Sequence, residues 1–220
     1  MKGNHQRDFD KEASSWDDNP GRLRMTNAIA DAIIAEIRLS KDMDVLDFGS
    51  GTGIIAVRLS PLVHSVTAVD GSQGMLDVLQ TKAKSFNLTN INTRRLDFEG
   101  EETLQGSFDV LVCSMTLHHI KEIGLLFSQF YKVLRPGGRL CIADLDSDGG
   151  QFHQNNEGVQ HFGFDRAELR SILADAGFAD IRDRTATEVL KPVAGGGMRS
   201  FSLFLTTGLK VRPGQPRDNK

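Results

Sequence analysis

The chain has 220 residues, a length that fits one domain with a hydrophobic core of its own. Hydrophobic residues make up 39% and charged residues 25%, as in ordinary globular proteins, and the net charge of -3 excludes a broad basic surface for nucleic acid or anionic membrane. The amino terminus lacks the apolar stretch of a signal peptide and no apolar run approaches the roughly 20 residues that span a bilayer, so we expect a soluble, cytoplasmic protein.

Short apolar runs alternate with helical patterns along the chain, which is typical of a parallel α/β sheet. Residues 9–17 form a short amphipathic segment, and residues 21–38 place several isoleucines at helical spacing after Pro20. The next elements are predicted as strands at 44–48, 65–69, 91–95, 108–113 and 139–144, and as helices at 54–59, 73–86 and 123–134. Ser72 is the expected N-cap of the middle helix, and a turn at 135–138 is expected to end the last one.

A long polar loop at 145–164 follows the fifth strand, and loops of this length are often functional. Asp165 and Glu168 have capping-box spacing, which predicts the last major helix at 166–176. Two final strands, 178–189 and 198–207, flank a glycine turn at 195–197. The chain therefore divides into an N-terminal helical lid segment (1–40), a sheet domain (41–208) and a tail (209–220) that is expected to be disordered.

The most informative stretch is 45–53, Val-Leu-Asp-Phe-Gly-Ser-Gly-Thr-Gly, where a strand runs into three alternating glycines and then a helix. Glycine lets the backbone turn sharply, and ligands of open parallel sheets bind beyond the carboxyl ends of the strands, where this loop lies. Asp70 ends the second strand, at a position where a carboxylate can accept both hydroxyls of a ribose. A tight turn without a ligand, and a helix N-cap in the case of Asp70, are the alternative interpretations.

Two ligand classes are compatible with such a loop, dinucleotides and S-adenosylmethionine. The dinucleotide fingerprint is Gly-x-Gly-x-x-Gly, whereas this loop has Gly-x-Gly-x-Gly and Ile54 stands in place of the third glycine. S-adenosylmethionine has no phosphate, and its methionine end carries an ammonium and a carboxylate. Because Asp47 suits an ammonium better than a pyrophosphate, the loop favours S-adenosylmethionine.

With these motifs the sequence resembles the class I S-adenosylmethionine-dependent methyltransferase family, and within it the small-molecule branch that includes quinone-biosynthesis methylases. The resemblance rests on five stretches in order, 45–53, 69–76, 96–98, 108–120 and 133–140. It implies a Rossmann-like α/β sheet of seven mostly parallel strands with helices on both faces and the last strand antiparallel. It also implies S-adenosyl-L-methionine as the cofactor and a small molecule as the methyl acceptor. We expect no nucleic-acid or membrane partner, and a monomer or homodimer.

The resemblance further implies which residues hold the cofactor. They are Asp47 with Gly49, Ser50, Gly51 and Gly53 at the methionine end, Asp70 on the ribose, Gly71, Ser72 and Met75 on the ribose and adenine side, Asp97 and Phe98 at the adenine, Ser114 near the transferring methyl, and Trp16 in the lid. Core packing is the alternative role for Met75, Phe98 and Trp16, and a turn is the alternative for Asp97.

Methyl transfer from a sulfonium is an in-line displacement, for which alignment can supply on the order of 7–11 kcal/mol. A general base adds roughly 10²–10⁴-fold, and only where the nucleophile must lose a proton. His118 and His119 follow the fourth strand and titrate near neutral pH, so they are the candidate catalytic bases. The alternative is that one of them is packed in the core and the other exposed.

Other chemistries fit the sequence less well. The donor atoms of Asp144, Asp146, Asp148 and His153 match no metal-loop spacing, so no metal site is predicted. A dinucleotide-dependent oxidoreductase would need a different glycine spacing and more chain for a substrate domain. A nucleic-acid methyltransferase would need a positive surface, and residues 113–116 lack both a Pro-Pro-aromatic signature and a Pro-Cys nucleophile. A non-catalytic S-adenosylmethionine-binding protein remains an alternative, and the acceptor and its methylated atom stay open.

Overall fold

Seven strands and six α-helices make up the fold in the computed structural model, which describes residues 7–98, 102–193 and 196–214. The strands are β1 (Asp44–Phe48), β2 (Ser65–Asp70), β3 (Ile91–Arg95), β4 (Phe108–Ser114), β5 (Leu134–Leu145), β6 (Ala179–Pro192) and β7 (Met198–Leu209). The helices are α1 (Phe9–Glu12), α2 (Pro20–Glu36), α3 (Ile54–Leu59), α4 (Gln73–Ser85), α5 (Ile123–Val133) and α6 (Arg166–Asp175), and a 3-10 segment (Ala13–Asp18) follows α1.

All seven strands belong to one sheet, in the order β3-β2-β1-β4-β5-β7-β6. The pairs from β3 to β5 are parallel, and β7 is antiparallel to both of its neighbours, β5 and β6. The predicted seven-stranded Rossmann-like sheet with an antiparallel last strand is therefore confirmed. Because ligands of such sheets bind at the carboxyl ends of the strands, the edge where β1, β2, β4 and β5 end is the place to look for a site.

Helices cover both faces of this sheet, as expected. Alternate residues of a strand point to opposite faces, so Val45 packs with α2 and α3 while Leu46 packs with α5 and α6. Phe127 of α5 and Ile33 of α2, both fully buried, anchor the two layers.

The predicted helix starts are confirmed at both capping residues. The Ser72 hydroxyl accepts a hydrogen bond from the Met75 N–H (3.1 Å) at the start of α4. The Asp165 carboxylate accepts hydrogen bonds from the Ala167 N–H (2.8 Å) and the Glu168 N–H (3.0 Å) at the start of α6. These caps satisfy backbone donors that have no partner inside the helix, which is why the two starts are readable from sequence.

The predicted turn at 135–138 is wrong, because these residues belong to β5. They form an irregular stretch between the pairs Phe108↔Leu134 and Val110↔Arg139, where Gly137 takes a φ of +88°. The Arg135 guanidinium forms ion pairs with the carboxylates of Asp44 and Asp109. These ion pairs hold the β-bulge of β5 against the neighbouring strands.

Cys113 and Cys141 are free and buried in strands, in line with the sequence interpretation. None of the helices in the described ranges combines the length and the apolar character that a membrane crossing requires. Residues 1–6 of the predicted lid segment, Gly195 of the predicted turn and residues 215–220 of the predicted tail lie outside the described residues.

Candidate active site

The glycine loop after β1 presents bare backbone at the carboxyl edge of the sheet. The Ser50 N–H donates to the Val69 carbonyl (3.0 Å), which ties the loop to β2. Gly51 has a φ of +53°, and a Cβ placed there would meet no atom within 4 Å. A Cβ at Gly53 would instead collide with Leu79 of α4. One glycine therefore leaves space in front of the loop, while the other allows α3 and α4 to pack closely.

Asp70, at the end of β2, braces this loop. Its carboxylate accepts hydrogen bonds from the Gly51 N–H (2.7 Å) and the Ser72 N–H (2.9 Å). Burial raises the pKa of Asp70, and the two N–H groups oppose that shift. Each carboxylate oxygen has a further lone pair, so the group can accept other donors while it holds the loop.

Asp47 of β1 is a buried carboxyl with an unsatisfied atom. Its exposed fraction is 1%, and its Oδ2 has no hydrogen-bond partner within the described part of the chain. Its pKa is raised to about 7, first by burial and then by the nearby Asp70, against the lowering effect of the Ala56 N–H. The Ser50 hydroxyl is likewise buried without a partner among those residues. Because buried polar atoms in proteins are normally satisfied, this pair fits a ligand with an ammonium and a carboxylate at one end.

The residues assigned to the adenine side lie beyond β2 and β3. Gly71 is half-buried, whereas the Met75 side chain is fully buried. Asp97 is exposed, and its N–H donates to Glu102 Oε2 (3.0 Å). The half-buried Phe98 ring lies 4.3 Å from the Phe48 ring, centroid to centroid. The burial of Met75 matches core packing, while Asp97 is exposed and Phe98 packs on Phe48.

The N-terminal segment lies over the start of α4. Asp10 of α1 accepts hydrogen bonds from the Ser72 hydroxyl (2.6 Å) and the Gly74 N–H (2.7 Å). The Ser72 hydroxyl lowers the pKa of the Asp10 carboxyl most, and the Gly74 N–H lowers it further. These two hydrogen bonds fasten the segment to residues that follow Asp70 directly in the chain.

A second set of contacts fastens the same segment to the glycine loop. The Asp17 carboxylate accepts a hydrogen bond from the Thr52 hydroxyl (2.7 Å) and forms an ion pair with Lys82. Next to it, Trp16 is half-buried, and the Arg22 guanidinium lies 3.7 Å from the centre of the Trp16 ring. Trp16 therefore lies next to a residue that binds the loop, and its ring packs on the guanidinium of Arg22.

His118 and Asp144 form a buried hydrogen-bonded pair on the other side of the site. The His118 Nδ1 lies 2.7 Å from Asp144 Oδ1, and their side chains are 1% and 0% exposed. The pKa of Asp144 is lowered, because His118 and the Leu145 N–H outweigh the effect of burial, which raises it. An ionised Asp144 accepts the Nδ1–H, so the proton-accepting nitrogen of His118 is Nε2. That Nε2 is buried and has no partner in the described ranges.

His119 and His153 complete a cluster of three imidazoles. The His118 ring centre lies 4.2 Å from that of His119 and 5.0 Å from that of His153. The His119 Nδ1 is 2.8 Å from the Gly158 carbonyl oxygen. Burial and then the neighbouring His118 lower the pKa values of His119 and His153 to about 4 each, so both are neutral at physiological pH.

The 145–164 loop closes over this cluster. The Gln160 N–H (2.9 Å) and the His161 N–H (3.1 Å) both donate to the His118 carbonyl. At the end of β4, Ser114 is half-buried, and Met115 takes a φ of +52°, a left-handed conformation that a side chain disfavours. Such local strain is often found at functional sites. In the described residues no group of His, Cys, Asp or Glu side chains is arranged to hold a metal ion.

Comparisons with known proteins agree with this geometry. A family model described as a methyltransferase domain matches residues 45–138. A methyltransferase of Schizosaccharomyces pombe, itself uncharacterised, is 38% identical over 120 residues, which cover 51% of this chain and 42% of that protein. A ubiquinone biosynthesis O-methyltransferase of Coxiella burnetii is 26% identical over 141 residues, 63% of this chain and 60% of that protein. These matches support a class I S-adenosylmethionine-dependent methyltransferase domain in this chain.

Solved structures show the fold of this methyltransferase domain in other proteins. The YcgJ protein of Bacillus subtilis superposes with a TM-score of 0.73 at 17% identity, over 84% of this chain and 99% of that one. A phosphoethanolamine N-methyltransferase of Haemonchus contortus, in complex with S-adenosyl-L-methionine, has a TM-score of 0.70 at 16% identity, over 94% of this chain and 61% of that one. The family resemblance found in the motifs is confirmed, although the chain spans only about half the length of the curated relatives it matches.

Several residues of this candidate site are not recognisable from sequence motifs. In the sequence, Asp144 stands out only as one donor atom of an unmatched metal loop, although its position at the end of a strand is a signal for a polar role. Asp10, Asp17 and Arg22 precede the first strand and carry no motif. Their partners lie 62, 35 and 6 residues along the chain, respectively.

Proposed function

We propose that this protein transfers the methyl group of S-adenosylmethionine to a hydroxyl or thiol of a small molecule. The observation that carries the proposal is the His118–Asp144 pair, a buried imidazole whose Nδ1 is held by a carboxylate and whose Nε2 is left without a partner among the described residues. It follows β4, at the same edge of the sheet as the glycine loop. We also propose a cytoplasmic location, because both thiols, Cys113 and Cys141, are free and buried.

The cofactor site follows from the unsatisfied atoms beside the glycine loop. Asp47 Oδ2 would accept the ammonium of the methionine end, and the Ser50 hydroxyl would donate to its carboxylate. Asp70 would accept the ribose hydroxyls with the lone pairs that Gly51 and Ser72 leave free. When bound, S-adenosylmethionine supplies an activated methyl group on a sulfonium sulfur. The loop and the fastened N-terminal segment would hold that group in line with the acceptor and exclude water.

His118 would remove the acceptor proton. Its Nε2 would take the proton of the acceptor O–H or S–H, while the cofactor held by the glycine loop would supply the methyl group to the oxygen or sulfur. Asp144 keeps the Nδ1–H in place and stabilises the imidazolium that forms. Asp144 is a positioning residue, since it acts through His118.

The type of acceptor follows from the need for a base. A neutral amine attacks with its lone pair and requires no proton removal beforehand, whereas a hydroxyl or thiol does. Among the relatives, the Coxiella protein is named for O-methylation and the Haemonchus protein for N-methylation. The buried His118–Asp144 pair favours the first chemistry for this chain.

The first test is calorimetric titration of the purified protein with S-adenosylhomocysteine, with NAD run in parallel. We expect micromolar binding of S-adenosylhomocysteine and none of NAD. The reverse result would mean that the glycine loop binds a dinucleotide, and the methyltransferase proposal would fall.

The second test is tritium transfer from labelled S-adenosylmethionine to phenols, catechols and thiols, beginning with 3,4-dihydroxybenzoate. His118→Gln is expected to lower kcat roughly 10²–10⁴-fold with the affinity for S-adenosylhomocysteine unchanged. His64→Gln is the matched control, because His64 lies at the opposite edge of the sheet with a largely exposed side chain. Transfer to amines alone, or an unchanged kcat in the His118 variant, would refute the acceptor type.

A further inference from the structure

Six rings form a continuous chain of contacts from the N-terminal segment to the neighbourhood of β6, and we call them the ring chain. In order they are Trp16, Phe9, His119, His118, His153 and Phe152, with successive ring centres 5.8, 5.5, 4.2, 5.0 and 5.0 Å apart. The catalytic histidine of the proposed function lies in the middle of this chain. The planar part of an acceptor would therefore meet rings on both sides of the reacting position.

A half-buried cation lies at each end of the ring chain. The Arg22 guanidinium is 3.7 Å from the Trp16 ring centre, and the Lys191 Nζ is 3.7 Å from the Phe152 ring centre. Lys191 also donates a hydrogen bond to the Phe152 carbonyl (2.5 Å), and Arg22 donates one to the Trp16 carbonyl (2.6 Å). Neither cation forms an ion pair with any residue in the described ranges.

The fold brings these two cations towards each other. Helix α2, which carries Arg22, packs against β6, which carries Lys191. Met25, one turn after Arg22, and Val189 and Val193, on either side of Lys191, all pack against the same core cluster as Phe152. Burial lowers the pKa of Lys191, and the charge of Arg22 lowers it further, as expected for two like charges in the same region.

Three acids act on these cations, since Glu12 and Asp17 raise the pKa of Arg22 and Asp148 raises that of Lys191, but each acid has another partner. Asp17 forms an ion pair with Lys82. Glu12 is engaged by Arg7, through hydrogen bonds of 2.8 and 2.6 Å. Asp148 is buried and its two oxygens accept the N–H groups of Gly150 and Phe152. Two like charges that are half-removed from water and have no ion-pair partner among the described residues raise the free energy of the empty site, and a bound anion would lower it.

We propose that the acceptor carries an anionic group, a carboxylate or a phosphate, which Arg22 and Lys191 bind while its planar part lies along the ring chain. This inference rests on the proposed function, and it names the substrate class of the same site. The other source of a carboxylate is the methionine end of the cofactor, which Arg22 could reach through the N-terminal segment. The test separates these two sources.

The experiment measures binding, so that no turnover is required. Protein saturated with S-adenosylhomocysteine is titrated with 3,4-dihydroxybenzoate against catechol and with phenyl phosphate against phenol. The fluorescence of Trp16, the only tryptophan of the chain, reports binding, and calorimetry repeats the measurement for the Arg22 variant. We expect at least one anion to bind about tenfold more tightly than its neutral counterpart.

Arg22→Gln and Lys191→Gln are expected to reduce that preference to about threefold or less, with the affinity for S-adenosylhomocysteine retained. Arg24→Gln on the same helix and Lys84→Gln on α4, both exposed cations, are the matched controls and should keep the preference. Equal binding of anionic and neutral probes to the wild type, or no binding of either anion, overturns the inference.

A loss of affinity for S-adenosylhomocysteine in the Arg22 variant, with the anion preference intact in both variants, assigns the cation to the cofactor and also overturns it. If the wild type does not bind S-adenosylhomocysteine at all, the proposed function itself has failed, and this outcome is distinct from the others.

Discussion

Replacing Asp47 with asparagine should stabilise the ligand-free protein at neutral pH and weaken its binding of the cofactor. Asp47 is fully buried, and its Oδ2 has no partner among the described residues. Its ionised form is therefore unfavourable in the folded protein until a positive group arrives. An asparagine has nearly the same shape and does not ionise.

The size of the effect follows from the shift in pKa. Burial, with Asp70 as a second cause, raises the pKa of Asp47 from 3.8 to about 7. Each pKa unit corresponds to 1.36 kcal/mol, so ionisation of this carboxyl costs the folded state about 4 kcal/mol. Because the pKa of Asp47 is raised on folding, the protonated carboxyl carries no such cost below about pH 3.8. The wild type then loses stability as the pH rises from there through about 7.

Urea unfolding of the wild type and of Asp47→Asn, measured across this range, tests the reasoning. The variant should match the wild type near about pH 4 and exceed it by about 4 kcal/mol near about pH 8. Asp42→Asn, which removes an exposed carboxylate, is the control and should show no such divergence. A difference between wild type and Asp47→Asn that does not depend on pH would refute the assignment of the raised pKa to Asp47.

Four further outcomes are expected. Asp70→Ala should weaken binding of S-adenosylhomocysteine by well over threefold in calorimetry, since up to two charge-assisted hydrogen bonds of roughly 1.5–3 kcal/mol each are lost; a smaller loss would contradict the ribose role. Asp144→Asn should lower kcat about 10–100-fold and move the pH–rate profile with KM unchanged, because only the orientation of His118 and its basicity change; an unmoved profile argues for a structural role. The ring C2 protons of His119 and His153 should not titrate in NMR spectra between about pH 6 and 8, because burial and then His118 lower both pKa values to about 4. Asp10→Asn should loosen the N-terminal segment and shift Trp16 emission to longer wavelength, whereas the exposed Asp18→Asn should not; equal spectra for both variants would contradict the fastening.

The positions of strands and helix ends are predictable from the sequence wherever residues close along the chain decide them. The predicted bounds of β1, β3 and α3 agree with the structure, and the caps at Ser72 and Asp165 were recognised. Alternation of apolar residues, glycine spacing and capping all act within a few residues of the chain, so a sequence window contains their cause.

The prediction of a turn at 135–138 is wrong because residues distant in the sequence decide the conformation of this segment. Arginine, proline and two glycines in a row are local signs of a turn, but Arg135 pairs with Asp109 and Asp44, which lie 26 and 91 residues away. These distant carboxylates hold the segment in β5. Local propensity is weak compared with an ion-pair network and a strand partner.

The fold class, the glycine loop and the acidic residue at the end of β2 are predictable from the sequence, because each depends on spacing within one βαβ unit. That His118, and not His119, pairs with a buried carboxylate depends on the tertiary structure, since Asp144 comes from the end of the neighbouring strand β5. The same holds for the cations at the two ends of the ring chain, which α2 and β6 bring together from opposite ends of the sequence. Which side chains lose water together, and which charges then lack a partner, depends on packing across the sheet, and that packing is not encoded in any one segment of the chain.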